Sequence, residues 1–240
     1  MHDLVKLAIE AHGGLARWNS VSKISATVKP DGLALKLRGR EDFAKSPTRL
    51  TISTREQLAT FDPFLTPGQV GIFEPYRTAV QATAGGVLEE LKNPRGSFKP
   101  DTPWTGPQLA YFAGYAMWTY LTLPFSLLTQ GVGVDEVEPW VGDGEAWRAS
   151  KVSFPKSYVT HSSEQVLYFD AKSLLRRQDY TVDIAAGGTA AHYIHDHQKF
   201  DGIVFPTRRR IYPRVGRQPD KSVVIMAADL SDFTLSDAAS

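Results

Sequence analysis

Residues 140–233 read WVGDGEAWRASKVSFPKSYVTHSSEQVLYFDAKSLLRRQDYTVDIAAGGTAAHYIHDHQKFDGIVFPTRRRIYPRVGRQPDKSVVIMAADLSDF. Turn formers recur along this stretch about every 15 residues: Gly142-Asp143-Gly144, Pro155-Lys156-Ser157, Asp170-Ala171-Lys172-Ser173, Ala186-Gly187-Gly188, Asp201-Gly202, and Gly216 to Asp220. Between the turns lie runs of about ten residues, at the long end for strands. Long strands joined by short turns make an antiparallel meander. The expected strands are 145–154, 158–170, 174–185, 189–200, 203–214 and 222–233.

Just upstream, Leu109 to Leu128 holds no charged residue and is rich in aromatics. It is long enough to span a bilayer. However, Pro124 interrupts it, five hydroxyl side chains (Tyr111, Tyr115, Thr119, Tyr120, Thr122) lie ahead of that proline, and no Lys or Arg flanks the stretch closely. A helix that is apolar all round belongs in a protein core, so the expectation is a buried helix over about 108–123, ended by Pro124. Nearer the N-terminus, residues 3–12 read as a helix: Asp3 can cap it, Leu4, Leu7, Ala8 and Ala11 form its stripe, and Gly13-Gly14 ends it. Alternation predicts strands over 23–29, over Leu33, Leu35 and Leu37 after the Pro30-Asp31-Gly32 turn, and over 49–54, with weaker ones at 70–73 and 77–82. Four prolines and two glycines make 93–107 a loop. The expected fold is therefore mainly β, a single domain over 1–240. It is a large curved antiparallel sheet or half-open barrel of about nine or ten strands, with two or three helices on the concave side.

The 42% hydrophobic and 22% charged composition is ordinary for a globular chain. A net charge of +1 gives no bulk attraction for nucleic acid. With no cysteine there is no disulfide, no thiol chemistry and no lipid-attachment cysteine. The N-terminal segment is amphipathic and lacks a basic region followed by an apolar core. The expected location is the cytoplasm as the sequence stands, or the periplasm if a leader has been removed.

A short helix ends in His12-Gly13-Gly14 and is followed by Trp18; an aromatic helix comes later. Then come Tyr168-Phe169-Asp170 turning into Leu174-Leu175-Arg176-Arg177, and Phe200-Asp201-Gly202-Ile203-Val204-Phe205-Pro206 leading into a basic strand. This order resembles the bacterial lipoprotein carriers of the Lol system and their uncharacterised relatives, most closely over 140–233. The resemblance implies a half-open antiparallel barrel, closed by helices, with a hydrophobic cavity for acyl chains. Those carriers are exported and their receptor member is lipidated through a cysteine, features this chain does not display, so the resemblance implies the fold more than the role in lipoprotein transfer.

The preferred function is binding of a hydrophobic or lipid-like small molecule in the concavity, with no cofactor, no nucleic-acid partner and no transmembrane span. The expected cavity wall is Trp104, Tyr111, Phe112, Tyr115, Trp118, Tyr120 and Phe125, with Tyr168 and Tyr193 from the meander, because hydroxyl-bearing aromatics give an apolar wall with orienting donors. Arg208 and Arg210 share a strand face and could meet a charged headgroup at the rim; Arg209 takes the other face. The alternative is an enzyme using the same cavity. In His192-Tyr193-Ile194-His195-Asp196-His197, alternation puts His195 and His197 on one face, suited to acid–base work or to a shared metal, with a third ligand from His161, Asp170, Asp179 or Asp183. Tyr168, Asp170, Asp179 and Arg176 or Arg177 form either a polar group at the cavity mouth or a set of cross-strand contacts. A third reading is a structural or interaction domain filled by its own helix.

Overall fold

A computed structural model of the chain describes residues 3–142 and 144–238; Asp143, in the first expected turn, lies outside them. Among the described residues there are four α-helices, more than the expected two or three: α1 (Asp3–Ala11), α2 (Leu15–Ser20), α3 (Leu33–Leu37) and α4 (Gly106–Thr122). The first half of the chain supplies β1 (Val21–Asp31), β2 (Thr48–Ser53), β3 (Ala59–Asp62), β4 (Gln69–Glu74), β5 (Arg77–Ala82) and β6 (Val87–Lys92). The second half supplies β7 (Gly133–Gly142), β8 (Glu145–Ser153), β9 (Glu164–Phe169), β10 (Leu175–Val182), β11 (Gly188–Phe200), β12 (Ile203–Val215), β13 (Gln218–Pro219) and β14 (Met226–Asp237).

All fourteen strands form one antiparallel sheet, in the order β6-β5-β4-β3-β2-β1-β14-β12-β11-β10-β9-β8-β7, with β13 attached to β12. Each half of the chain is a meander, and the two are zipped where the first strand meets the last, Ile24 opposite Leu235 and Val28 opposite Leu230. Among the described residues β6 and β7 do not pair, so the sheet stays open.

The strand count exceeds the expected nine or ten, for a physical reason. The two edge strands bury little: β6 is exposed along most of its length, and β7 carries Asp135, Glu136, Glu138 and Pro139. A strand that buries neither face shows no period-two signal, and charge and proline are usual at sheet edges. A second correction concerns Leu33, Leu35 and Leu37, expected as a strand. Here β1 runs on through Pro30-Asp31, and Leu33-Ala34-Leu35-Lys36-Leu37 is a short helix that buries Leu35. All five are strong helix formers and none is β-branched.

α4 is buried over its whole length. A capping box starts it: Gln108 N–H donates to Thr105 Oγ1 (3.3 Å) and Thr105 N–H to Gln108 Oε1 (2.9 Å). It lies against β3–β6. At Gly114 a Cβ would stand 2.1 Å from Phe73 Cβ, so the helix reaches this strand because Gly114 has no side chain. α1 buries Leu4, Val5, Ala8 and Ile9 in the same core. Its exit turn docks on the β11–β12 turn: Val204 N–H donates to the His12 carbonyl (2.9 Å), and a Cβ on Gly13, whose φ is 121°, would meet the Gly202 carbonyl at 2.4 Å. The His12-Gly13-Gly14 and Asp201-Gly202 segments are thus two sides of one contact.

Candidate functional site

α4 leaves a gap between itself and the middle of the sheet, an apolar cavity of about 360 Å³. Leu109, Phe112, Ala113, Ala116 and Met117 of α4 form one wall. Facing them are Val28 and Pro30 of β1, Val182 of β10, Ala190 of β11, Ile211 and Pro213 of β12, and Met226 and Ala228 of β14. The gap exists because α4 presents alanines at 113 and 116 towards β11, β12 and β14, where larger side chains would fill it. α3 borders the mouth with Ala34, Leu35 and Leu37, and Leu37 is 67% exposed. Arg38 also lines the cavity, its guanidinium 5.7 Å from the centre of the Trp104 ring. Among the described residues no Asp or Glu lines it.

One end of the cavity is polar, at Tyr120, His161 and Tyr180. His161 Nε2 shares a hydrogen bond of 2.7 Å with the Tyr120 hydroxyl, its Nδ1 one of 3.2 Å with the Tyr115 hydroxyl, and Tyr120 and Tyr180 share one of 2.8 Å. The His161 ring stacks on Tyr180 at 4.0 Å. Burial pushes His161 down to about 3 and raises all three tyrosines, so the imidazole is neutral and the phenols keep their protons at pH 7.

Behind Tyr120 stands Arg209, 1% exposed. One of its Nη groups donates to the Tyr120 carbonyl (2.8 Å), one of the last carbonyls of α4, and the other lies 3.4 Å from His192 Nε2. Its guanidinium is 4.9 Å from the Tyr120 ring centre. Among the described residues no carboxylate pairs with it, and its Nε and His192 Nδ1 have no hydrogen-bond partner. Burial pulls Arg209 down to about 10, still charged at neutral pH.

The sequence-predicted residues divide among several places. Trp104, Phe112 and Tyr120 line this cavity. Tyr111 and Tyr115 are fully buried on α4, Tyr111 against Phe73 and Tyr115 bonded to His161. Trp118 and Phe125 border a separate groove of about 500 Å³, where Trp118 Nε1 donates to the Ser53 carbonyl (2.8 Å) and Phe125 stacks on Trp18 (4.3 Å). Arg208 and Arg210 face away from the cavity: Arg208 lies 3.8 Å from Asp196, and Arg210 donates to Asp229 (2.6 Å). His195 stacks on Tyr193, on the convex face. Asp196 adopts a left-handed φ of 56°, and His197 lies 6.1 Å from the buried His12 ring. Neither His195 nor His197 lines the cavity, and among the described residues no three His, Asp or Glu side chains gather as a metal site.

On the convex face Tyr168 and Tyr193 belong to a second, smaller core around Arg177. Arg177 donates to both oxygens of Asp179 (2.6 and 2.8 Å) and to the Arg217 carbonyl (2.7 Å), and Tyr168 donates to Asp179 (3.1 Å). Asp170 holds its turn by accepting from Lys172 and Leu174 N–H. The Tyr168–Asp179–Arg177 set therefore ties strands together on the side opposite the cavity.

Tyr180, His192 and Arg209 are at the site without having been expected there. Alternation was the available signal: Arg209 shares the parity of Ile211 and Pro213, and His192 that of Ala190 and Ile194.

No protein-family model matches the chain, and no curated protein matches it in sequence. Solved structures do match. A LolA superfamily protein from Nitrosomonas europaea aligns at 12% identity and a TM-score of 0.54, over 98% of this chain and 93% of its own. A domain described as an outer membrane lipoprotein-sorting protein from Vibrio parahaemolyticus aligns at 10% identity and 0.55, over 97% and 91%. A DUF1329 family protein from Desulfovibrio piger aligns at 12% and 0.53, over 99% and 93%. At these identities the likeness is one of fold: the chain shares the overall Lol-type fold of these structures.

Proposed function

We propose that this protein binds a hydrophobic or lipid-like small molecule in the cavity beneath α4, without covalent chemistry. The observation that carries this reading is the roughly 360 Å³ of apolar space left between α4 and the sheet. That volume is at the small end of ligand pockets and suits one chain or a small ring system rather than several chains. Leu37 at the mouth is an exposed apolar side chain, as a site that exchanges an apolar ligand would have. The lipoprotein-sorting description of the Vibrio domain fits a carrier of acylated cargo, and we extend to this chain only the apolar ligand and, with it, a place of work beside a membrane, the periplasm if a leader precedes this segment. Among the described residues no helix is long and apolar enough to cross a membrane.

Native mass spectrometry of the purified protein, followed by denaturation, tests the reading, together with titration of the delipidated protein by a fluorescent fatty-acid probe. A bound acyl or isoprenoid species, or saturable one-to-one probe binding blocked by Ala116→Phe, is expected. A clean apo mass with no saturable binding of apolar probes overturns it.

A further inference from the structure

We infer that the ligand of this cavity carries an acidic end, a carboxylate, which seats at the Tyr120–His161–Tyr180 end with Arg209 behind it. The inference rests on the cavity being a ligand site, as proposed above.

Charge comes first. Arg38 lines the cavity and Arg209 stands just behind its polar end, while among the described residues no Asp or Glu lines it. Arg38 is only half-buried and reaches water, so it needs no counter-ion. Arg209 is 1% exposed, and a buried guanidinium without a carboxylate is costly. The carbonyl end of α4 and the Tyr120 ring offset part of that cost. The cavity reaches Tyr120, whose ring lies against the guanidinium.

Hydrogen bonding comes second. The Tyr115–His161–Tyr120–Tyr180 chain has three phenols and a neutral imidazole, which supplies one donor and one acceptor. When Tyr115 donates to Nδ1, Nε2–H donates to Tyr120, and Tyr120 donates to Tyr180, the Tyr180 proton is left to point into the cavity. Tyr180 lines the cavity and burial keeps it protonated, so it can donate but cannot offer a phenolate. A carboxylate accepting from Tyr180, in the field of Arg209, satisfies both groups, whereas an ester or hydrocarbon end satisfies the donor weakly or not at all and leaves the charge uncompensated.

The test measures binding of cis-parinaric acid and of its methyl ester to the delipidated full chain by fluorescence at pH 7.5. The acid should bind about tenfold tighter or more, as one charge-assisted hydrogen bond gives. The preference should collapse in Tyr180→Phe and Arg209→Met and survive in Arg38→Met. If Arg209→Met fails to fold, Tyr180→Phe decides, since it removes a single oxygen. Equal affinities for acid and ester overturn the inference while leaving the apolar-ligand reading standing. A preference lost in Arg38→Met but kept in Tyr180→Phe puts the acid at the mouth and also overturns it. Failure of both probes to bind removes the ligand reading itself.

Discussion

Two arginines of this sheet are equally inaccessible to water and are treated in opposite ways. Arg177, on the convex side, is 0% exposed and gripped by both oxygens of Asp179, with the rings of Trp140, Tyr168 and Tyr193 5.0–5.3 Å from its guanidinium. Burial opposes its charge, yet the Asp179 bonds outweigh burial and hold it above its ordinary value. Arg209, on the concave side, has two aromatic neighbours and a carbonyl but no carboxylate among the described residues, and burial wins. The convex cluster is closed: each charge has its partner in the same chain. The concave cluster is open, and it adjoins the apolar cavity. A buried charge completed within the chain marks architecture; one left incomplete beside a cavity marks a place for something else.

Breaking the closed cluster should have the largest effect. Asp179→Ala leaves Arg177 buried without its anion and should cost ~3–5 kcal/mol in urea unfolding. A loss under ~1 kcal/mol would mean that Arg177 escapes to water and that the convex cluster is not closed. Replacing both, Arg177→Met with Asp179→Leu, should recover most of that loss, because the apolar pair needs no partner. Trp118→Ala should cost a similar ~3–5 kcal/mol by opening a cavity between α4 and its sheet contacts. Binding of the acid probe should change less than stability, because Trp118 borders the other groove.

Acid separates the two clusters next. His161 is buried and neutral at about 3, against 6.5 in the unfolded chain, so below pH 6.5 the unfolded state binds a proton that the folded state refuses. Stability is therefore fully present above pH 6.5 and falls as pH drops towards 3. His161 alone should contribute a loss of ~2 kcal/mol between pH 7 and 5. His192 and His12, both also lowered by burial, add in the same direction. Urea titrations at the two pH values should show a smaller drop for His161→Gln than for the unaltered chain; an identical drop would break the assignment of the acid sensitivity to the concave side. The smallest effect should come from Arg209→Met, ~1 kcal/mol from the lost bond to the α4 carbonyl, partly offset by removing an uncompensated charge. A loss as large as that of Asp179→Ala would mean that Arg209 is as structural as Arg177, and the contrast would disappear.

The meander from 140 onward was legible because its turns carry Gly, Pro and Asp at regular intervals and its strands bury one face. α4 was legible because seventeen consecutive residues avoid charge. The site was only partly legible. Trp104, Phe112 and Tyr120 were expected at the cavity and line it, while Trp118 and Phe125, on the same apolar stretch, open to another groove. A helix buried all round gives no sign of which side meets a strand and which meets empty space. The headgroup was expected at Arg208 and Arg210 because cations belong at a rim. Those two find Asp196 and Asp229, and the residue between them turns inward.

Sequence alone determined the class of the molecule: a long antiparallel meander, a helix too apolar for any surface, and a cysteine-free, near-neutral chain. These follow from local rules, turn chemistry and periodicity, that act over a few neighbouring residues. Only the tertiary structure decided where the open space lies and which arginine goes without a carboxylate. Those outcomes depend on Gly114 letting α4 settle on Phe73, on Ala113 and Ala116 facing β11, β12 and β14, and on Asp179 standing two residues from Arg177 while no described acid stands near Arg209. Apart from the local Arg177–Asp179 pair, each is set by how side chains far apart in sequence meet when the two meanders close on the helix, and no local pattern encodes it.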